Sequence, residues 1–571
     1  MPRLPFLALV AVGLSLAAPA AAGAEGVVAR HGMVVAQEAR AARIGVEVLQ
    51  QGGNAVDAAV ATGFALAVTY PRAGNIGGGG YMVIHLVSQT APRGGAVYGA
   101  TRAIDYRETA PAAVTREVFL DANGEADAEK SRHSALSIGV PGTVAGLALA
   151  HAKYGSRKFT LAALIAPAIR LAREGIPIED DVADSLPRAQ PRLARWPSSA
   201  KIFLKADGSV LGPSDTLLQH DLADTLAAIA RDGPRAFYEG AIADKLVVAV
   251  RAAGGLMTRD DLKRYAPIER EPVRGSYRGH EIISMPPSSS GGVILIEMLN
   301  ILEGYQGLAA DNVGHLHVMI EAMKLAYADR ALFLGDPATV TAPLASLMSK
   351  AYAARLRGRI DPARARPATD IRPGSALREG DNTTHFSVVD RFGNAVSNTY
   401  TLNFSYGLGL VADGTGILLN NELDDFAAKP GAPNAYGLIG GDANAPGPGK
   451  RPLSSMSPAI VLKDGKPFLV TGSPGGSRII TAVLQVITNV IDRKMPIADA
   501  VAEPRLHHQW SPDEVLVEPT LSPDVRRALE ARGHKLVEPP PGTSANSILV
   551  TPQGLVGAAD PRTRGALAAG Y

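Results

Sequence analysis

The sequence predicts an α+β fold in which antiparallel sheet is covered by helices, and three observations carry that expectation. The last third of the chain holds three hairpin signatures. Strand-like residues 384–389 and 395–402 flank Asp390-Arg-Phe-Gly-Asn394, residues 459–462 and 467–471 flank Asp464-Gly465, and residues 547–550 and 555–558 flank Gln553-Gly554. Residues 478–492 have the apolarity and length of a covering helix. Residues 55–68 are nearly all apolar and follow Asn54, a good capping residue, so a second helix is predicted to be buried.

Taken in order, the remaining elements read as follows. Residues 38–49 have helical periodicity and stop at Gly52-Gly53. A loop from Tyr70 through Gly77-Gly78-Gly79-Gly80 feeds a strand over 81–87, and lets backbone approach something closely. That glycine run is no phosphate cradle, because it lacks the Lys-Ser/Thr of a P-loop and the GxGxxG spacing before a helix. Residues 140–365 read as mostly helical and polar-faced, with a loop at Pro286-Pro-Ser-Ser-Ser-Gly-Gly and a helix over 313–334. Residues 430–452, rich in Gly, Pro and Asn, read as a long surface loop or lid.

Composition narrows the function. A chain of 571 residues with 57 basic and 55 acidic side chains has no basic surplus suited to nucleic acid. Residues 1–24 read as a secretory signal, with Arg3, an apolar run from Leu7 to Ala18 and the small residues Ala22-Gly23-Ala24. No later stretch is long and apolar enough for a membrane span. The expectation is an exported protein, in the periplasm or alternatively the medium. There are no cysteines, so thiol nucleophiles, thiolate metal sites and disulfides are excluded.

The chemistry centres on Asn382-Thr383-Thr384-His385-Phe386-Ser387. Scission between Asn382 and Thr383 would give one residue both a hydroxyl nucleophile and a free α-amine to activate it. Thr384 is the neighbouring alternative, since the pair alone does not say which residue leads.

The motifs around that pair, Gly416-Ile-Leu-Leu-Asn-Asn-Glu-Leu-Asp-Asp-Phe426, Lys450-Arg-Pro-Leu-Ser-Ser-Met-Ser-Pro458 and Thr471-Gly-Ser-Pro-Gly-Gly-Ser-Arg478, resemble those of the γ-glutamyltransferases, or γ-glutamyl transpeptidases. Asp105-Tyr-Arg-Glu-Thr-Ala-Pro111 and Gly74-Asn-Ile-Gly-Gly-Gly-Gly80 extend the resemblance over the mature chain. The resemblance implies the N-terminal nucleophile hydrolase fold, a four-layer αββα sandwich of two antiparallel sheets between helical layers. It implies autocleavage before Thr383 into a large subunit, 25–382, and a small one, 383–571, that stay together as a non-covalent heterodimer. It implies a γ-glutamyl substrate such as glutathione, water, amino acids or dipeptides as acceptors, and no cofactor or metal.

By motif position the resemblance makes Thr383 the nucleophile, Thr401 its supporting hydroxyl, and Gly475 and Gly476 the oxyanion hole. Arg107, Ser454 and Ser455 take the substrate α-carboxylate, and Asn403, Glu422 and Asp425 the α-ammonium, with Tyr436 as the gate on the lid. Glu422 stands where some bacterial members have glutamine. Relatives acting as cephalosporin acylases tend to lose the lid and change the acid at Asp425, so retention of both favours γ-glutamyl over glutaryl substrates. An acylase of that type and an uncleaved, non-catalytic exported homologue are the alternatives. His507-His508 is expected to have a packing or surface role, because adjacent strand residues face opposite ways. The sequons at Asn382 and Asn403 are discounted, since a glycan would crowd the site.

Overall fold

The computed structural model describes residues 26–87, 99–307, 310–371, 383–435, 438–538 and 542–571. The signal segment 1–24, Asn382 and Tyr436 lie outside the described residues.

Fourteen strands build the two main sheets: β1 (Val27–Ala29), β2 (Met33–Ala36), β3 (Gly79–His85), β4 (Thr101–Tyr106), β5 (Ile268–Arg270), β6 (Val273–Tyr277), β7 (His280–Ser284), β8 (Thr384–Val389), β9 (Ala395–Thr401), β10 (Ala459–Lys463), β11 (Lys466–Thr471), β12 (Ser547–Thr551), β13 (Gly554–Ala558) and β14 (Leu567–Gly570). One sheet runs β1-β13-β12-β11-β10-β7-β6 and the other β14-β2-β8-β9-β3-β4-β5. The pairings within both are antiparallel. All three sequence hairpins are present, as β8-β9, β10-β11 and β12-β13.

Strand alternation sorts side chains into layers. Val34 and Ala36 of β2 face a helical layer, whereas Met33 and Val35 join Val83, Ile460, Val470 and Ile548 between the sheets. The helices α1 (Ala39–Gln50) and α2 (Ala55–Thr69) cover the second sheet. Asn54 caps α2 through a reciprocal box with Asp57, and every residue of α2 is buried. On the far side α3 (Gly291–Glu303), α4 (Asn312–Phe333) and α5 (Arg478–Ile491) cover the first sheet. The result is the four-layer αββα sandwich.

Two expectations need correction. Residues 140–365 are not simply polar-faced helix. They contribute β5, β6 and β7, and α3 is buried along almost its whole length. The strands were illegible because β6 is an edge strand with Arg274, Gly275 and Ser276 between its buried ends. The loop 430–452 is not wholly a surface feature, since Asn434, Ala435, Asn444, Ala445 and Arg451 are buried.

The glycine run makes its close approach to the protein's own backbone. A Cβ on Gly77 would lie 2.0 Å from the Leu418 carbonyl oxygen, and one on Gly78 2.0 Å from that of Thr401. Asn75 fastens this loop, donating from Nδ2 to the Thr401 carbonyl at 2.9 Å and accepting from Gly78 N–H at 2.9 Å. Gly78→Ala is therefore expected to cost more stability than the roughly 1 kcal/mol of an ordinary substitution, because backbone must move, and to lower the thermal midpoint accordingly. A melting curve beside the parent protein checks this, and an unchanged midpoint would show that the loop yields freely.

Candidate active site

Thr383 immediately precedes β8, a strand held between β2 and β9. Thr384 pairs with Tyr400, which brings Thr383 beside the end of β9. Its Oγ1 lies 3.4 Å from Thr401 Oγ1, which in turn accepts from Asn403 N–H at 2.9 Å. Thr383 borders two cavities, of about 20 and about 310 Å³. Thr384 lines neither, and its hydroxyl is fully buried within the sandwich.

The smaller cavity gathers Arg107, Thr401, Asn403, Glu422, Asp425, Ser454, Ser455 and Gly476 around Thr383. These residues come from widely separated parts of the chain. Arg107 follows the end of β4, Glu422 and Asp425 sit on a single 3-10 turn, and the serines lie before β10. Asn403 adopts φ +72°, turning the chain away from β9, and its Nδ2 donates to the Asn421 carbonyl at 2.9 Å.

Arg107 is wholly buried and pre-set by Nε donating to the Pro452 carbonyl at 3.1 Å. Its two terminal nitrogens pair with Glu422 and Asp425. The expected carboxylate binder and the expected ammonium binders are thus each other's partners. Burial pushes the Glu422 and Asp425 carboxyls up, with Arg107 pulling against it. A zwitterion entering here would offer each group its opposite charge without leaving any of them unpaired.

Two site residues were not anticipated. Glu108, fully buried, lies 3.9 Å from Arg107, and burial pushes its carboxyl up to about 7. Arg330, on α4, donates from Nε to Ser290 Oγ at 2.9 Å and from Nη2 to Ser455 Oγ at 3.2 Å. Burial pushes its guanidinium down to about 10. For Glu108 the available signal was its place beside Arg107 in the same motif, whereas Arg330 shares its helix with Glu321, Lys324 and Asp329 and nothing local set it apart.

Gly475 and Gly476 lie between β11 and α5, with φ of +127° and +55°. Their carbonyls accept from Arg478 and Ile479, while neither N–H donates to a protein group among the described residues. Gly476 lines the small cavity and Gly475 is its buried neighbour. Two N–H groups with no protein acceptor among the described residues, ahead of a helix, suit a developing oxyanion.

The decoys resolve structurally. His507 bonds Thr481 Oγ1 and Gln509 Oε1 at 2.9 Å each, and His508 bonds Asp513 at 3.1 Å. Asn403 is 1% exposed, which leaves no room for a glycan.

A cavity-facing threonine at the head of an interior strand in an αββα sandwich is the arrangement of the N-terminal nucleophile hydrolase class. The family model described as Gamma-glutamyltranspeptidase matches residues 41–570. The glutathione hydrolase proenzyme of Escherichia coli (strain K12) is 50% identical over 95% of this chain and 92% of its own. Among solved structures, a cephalosporin acylase from Bacillus halodurans aligns with a TM-score of 0.83 at 28% identity, covering 98% of this chain and 99% of that one. The gamma-glutamyltranspeptidase of Helicobacter pylori aligns at 0.55 and 42% identity over 60% of this chain and 96% of that one. The chain belongs to the gamma-glutamyltranspeptidase family.

Glu108 supplies a pH dependence with a definite sign. Its folded-state value of about 7 lies above the ordinary carboxyl value, so its neutral form favours the folded state and that contribution is lost as pH rises through about 7. Glu108→Gln should lose less thermal stability than the parent between about pH 6 and about pH 8. Identical slopes for the two proteins would show that the carboxyl does not titrate there.

Proposed function

We propose that this protein is a glutathione hydrolase and γ-glutamyltransferase, made as an exported proenzyme and activated by its own cleavage at Asn382-Thr383. The observation that carries the reading is Thr383 at the mouth of a cavity whose other walls are Arg107, Glu422, Asp425, Ser454 and Ser455. That set matches the two charged ends of a γ-glutamyl group, and places a hydroxyl where its γ-carbonyl would end.

In the first half-reaction Thr383 Oγ1 attacks the γ-carbonyl carbon and its proton passes to the α-amine freed by cleavage. Gly475 and Gly476 N–H groups hold the oxyanion. Collapse breaks the amide bond, and the proton leaves with the departing amine, Cys-Gly when the donor is glutathione. The γ-glutamyl ester on Thr383 is then attacked by water, an amino acid or a dipeptide. Thr401 keeps the nucleophile's hydroxyl oriented, as its 3.4 Å approach supports. Tyr436 is assigned to the lid on the family pattern alone.

Interleaving supports a heterodimer that survives cleavage. Residues before 383 pair with residues after it in β1-β13, β2-β8, β2-β14, β3-β9 and β7-β10. Scission of one peptide bond leaves those ladders intact. The Helicobacter pylori chain, matched almost entirely by 60% of this one, is in keeping with a large subunit ending near 382. Export rests on the 1–24 segment, with the periplasm as the favoured compartment. No helix among the described residues is long and apolar enough to cross a membrane.

The likeness to a cephalosporin acylase makes an acylase the second reading. The pairing of Arg107 with both Glu422 and Asp425 favours the γ-glutamyl one, because a glutaryl group lacks the ammonium those acids require. Purified protein should turn over a chromogenic γ-glutamyl anilide and hydrolyse a glutaryl amide far more slowly. The reverse ranking would overturn the assignment. Two bands are expected on a denaturing gel, the smaller beginning Thr-Thr-His-Phe-Ser, whereas Thr383→Ala should stay a single chain without turnover. Arg107→Lys, which forfeits two-point contact, should raise KM for the anilide by about tenfold or more.

A further inference from the structure

The second cavity beside Thr383 has a different character from the first. It is about 310 Å³, and four arginines, Arg72, Arg188, Arg192 and Arg562, line it together with Phe404 and Ser405. Two are neutralised within the fold. Arg72 pairs with Asp181 at 2.7 Å, and Arg562 with Glu518 and Asp560 at 2.5 and 3.1 Å.

Arg188 and Arg192 are not neutralised. Both lie on the helix Asp180–Leu193 four positions apart, and so share one face. Arg188 is exposed, with no carboxylate within ion-pair distance among the described residues. Arg192 donates from Nη2 to the Ser405 carbonyl at 2.7 Å and lies over the Phe404 ring at 5.6 Å. Its Nε is buried without a hydrogen-bond partner. Held there, the guanidinium brings its charge to the cavity wall, one helical turn from that of Arg188.

Reaction geometry says what that anion belongs to. With the γ-glutamyl ammonium and carboxylate occupying the small cavity, the substituent beyond the γ-carbonyl extends elsewhere from Thr383. By microscopic reversibility the amine that attacks the ester occupies the place the leaving amine vacated. One subsite therefore serves both. In glutathione the leaving amine ends in a free carboxylate, and amino acid and dipeptide acceptors carry one too.

We propose that the arginine-lined cavity is the subsite for the leaving and accepting amine, and that Arg188 and Arg192 bind its free carboxylate. The inference rests on the γ-glutamyl reading of Thr383 and deepens it. It makes the enzyme selective for amines of amino acid and peptide type over uncharged amines of similar size.

The test uses mature enzyme and two donors that differ at one group, a γ-glutamyl dipeptide and its C-terminal carboxamide, with the γ-glutamyl anilide as a third. The parent enzyme should prefer the carboxylate donor in kcat/KM by about tenfold, a preference that shrinks with added salt. Arg188→Ala and Arg192→Ala should each bring that ratio toward one, Arg188→Lys should keep most of it, and Arg188→Glu should carry it below one. Should Arg192→Ala fail to mature, the exposed Arg188 series decides the matter by itself. Turnover of the anilide with no carboxylate preference in the parent, or a preference untouched by any Arg188 variant, overturns the subsite and leaves the γ-glutamyl reading standing. No turnover of any of the three donors overturns both.

Discussion

The hydrogen-bond ladder that holds β8 between β2 and β9 is the constraint on which the rest depends. The β9 ladder starts at Thr384 and the β2 ladder at Ser387, and every residue of the strand is buried, so the residue at its head is set beside the end of β9. Thr383 is located by backbone pairing and not by its own contacts, of which the described ones are few. The same ladder joins chain from both sides of position 383, so the element that aims the hydroxyl also ties the two segments to each other.

Charge around this point is arranged in compensation. Arg107, with no exposure, would be costly if unpaired, and its pairing with Glu422 and Asp425 is what allows a guanidinium to sit at the base of a cavity. Glu108 adds a third acid and Arg330 a second cation, each moved toward its neutral form by burial. The small cavity is therefore close to electrically balanced, whereas the larger one has two arginines in excess. A substrate with a zwitterionic end and an anionic end fits that division.

Much of this was legible in the sequence, for definite physical reasons. Hairpins announce themselves through turn residues between two strand-like runs, and β8-β9, β10-β11 and β12-β13 all had both. Asn54 announced a helix start in the same local way. The edge strands β5 and β6 were missed because they carry charge and lack clear alternation, and β7, an interior strand of five residues, is too short to show a period. Glu108 and Arg330 were missed because a buried charge is recognised by what surrounds it, and those surroundings come from other parts of the chain.

By itself the sequence determined the local conformations, the family motifs and the candidate threonine pair, since each depends on residues within a few positions of one another. Only the tertiary structure decided which threonine reaches a cavity, that Arg107 faces both acids, that the glycine run approaches Thr401 and Leu418, and that two arginines with no carboxylate partner among the described residues line a cavity with Thr383. Those are relations between segments hundreds of residues apart. Strand register and helix packing set them, and neither is written in any one stretch of chain.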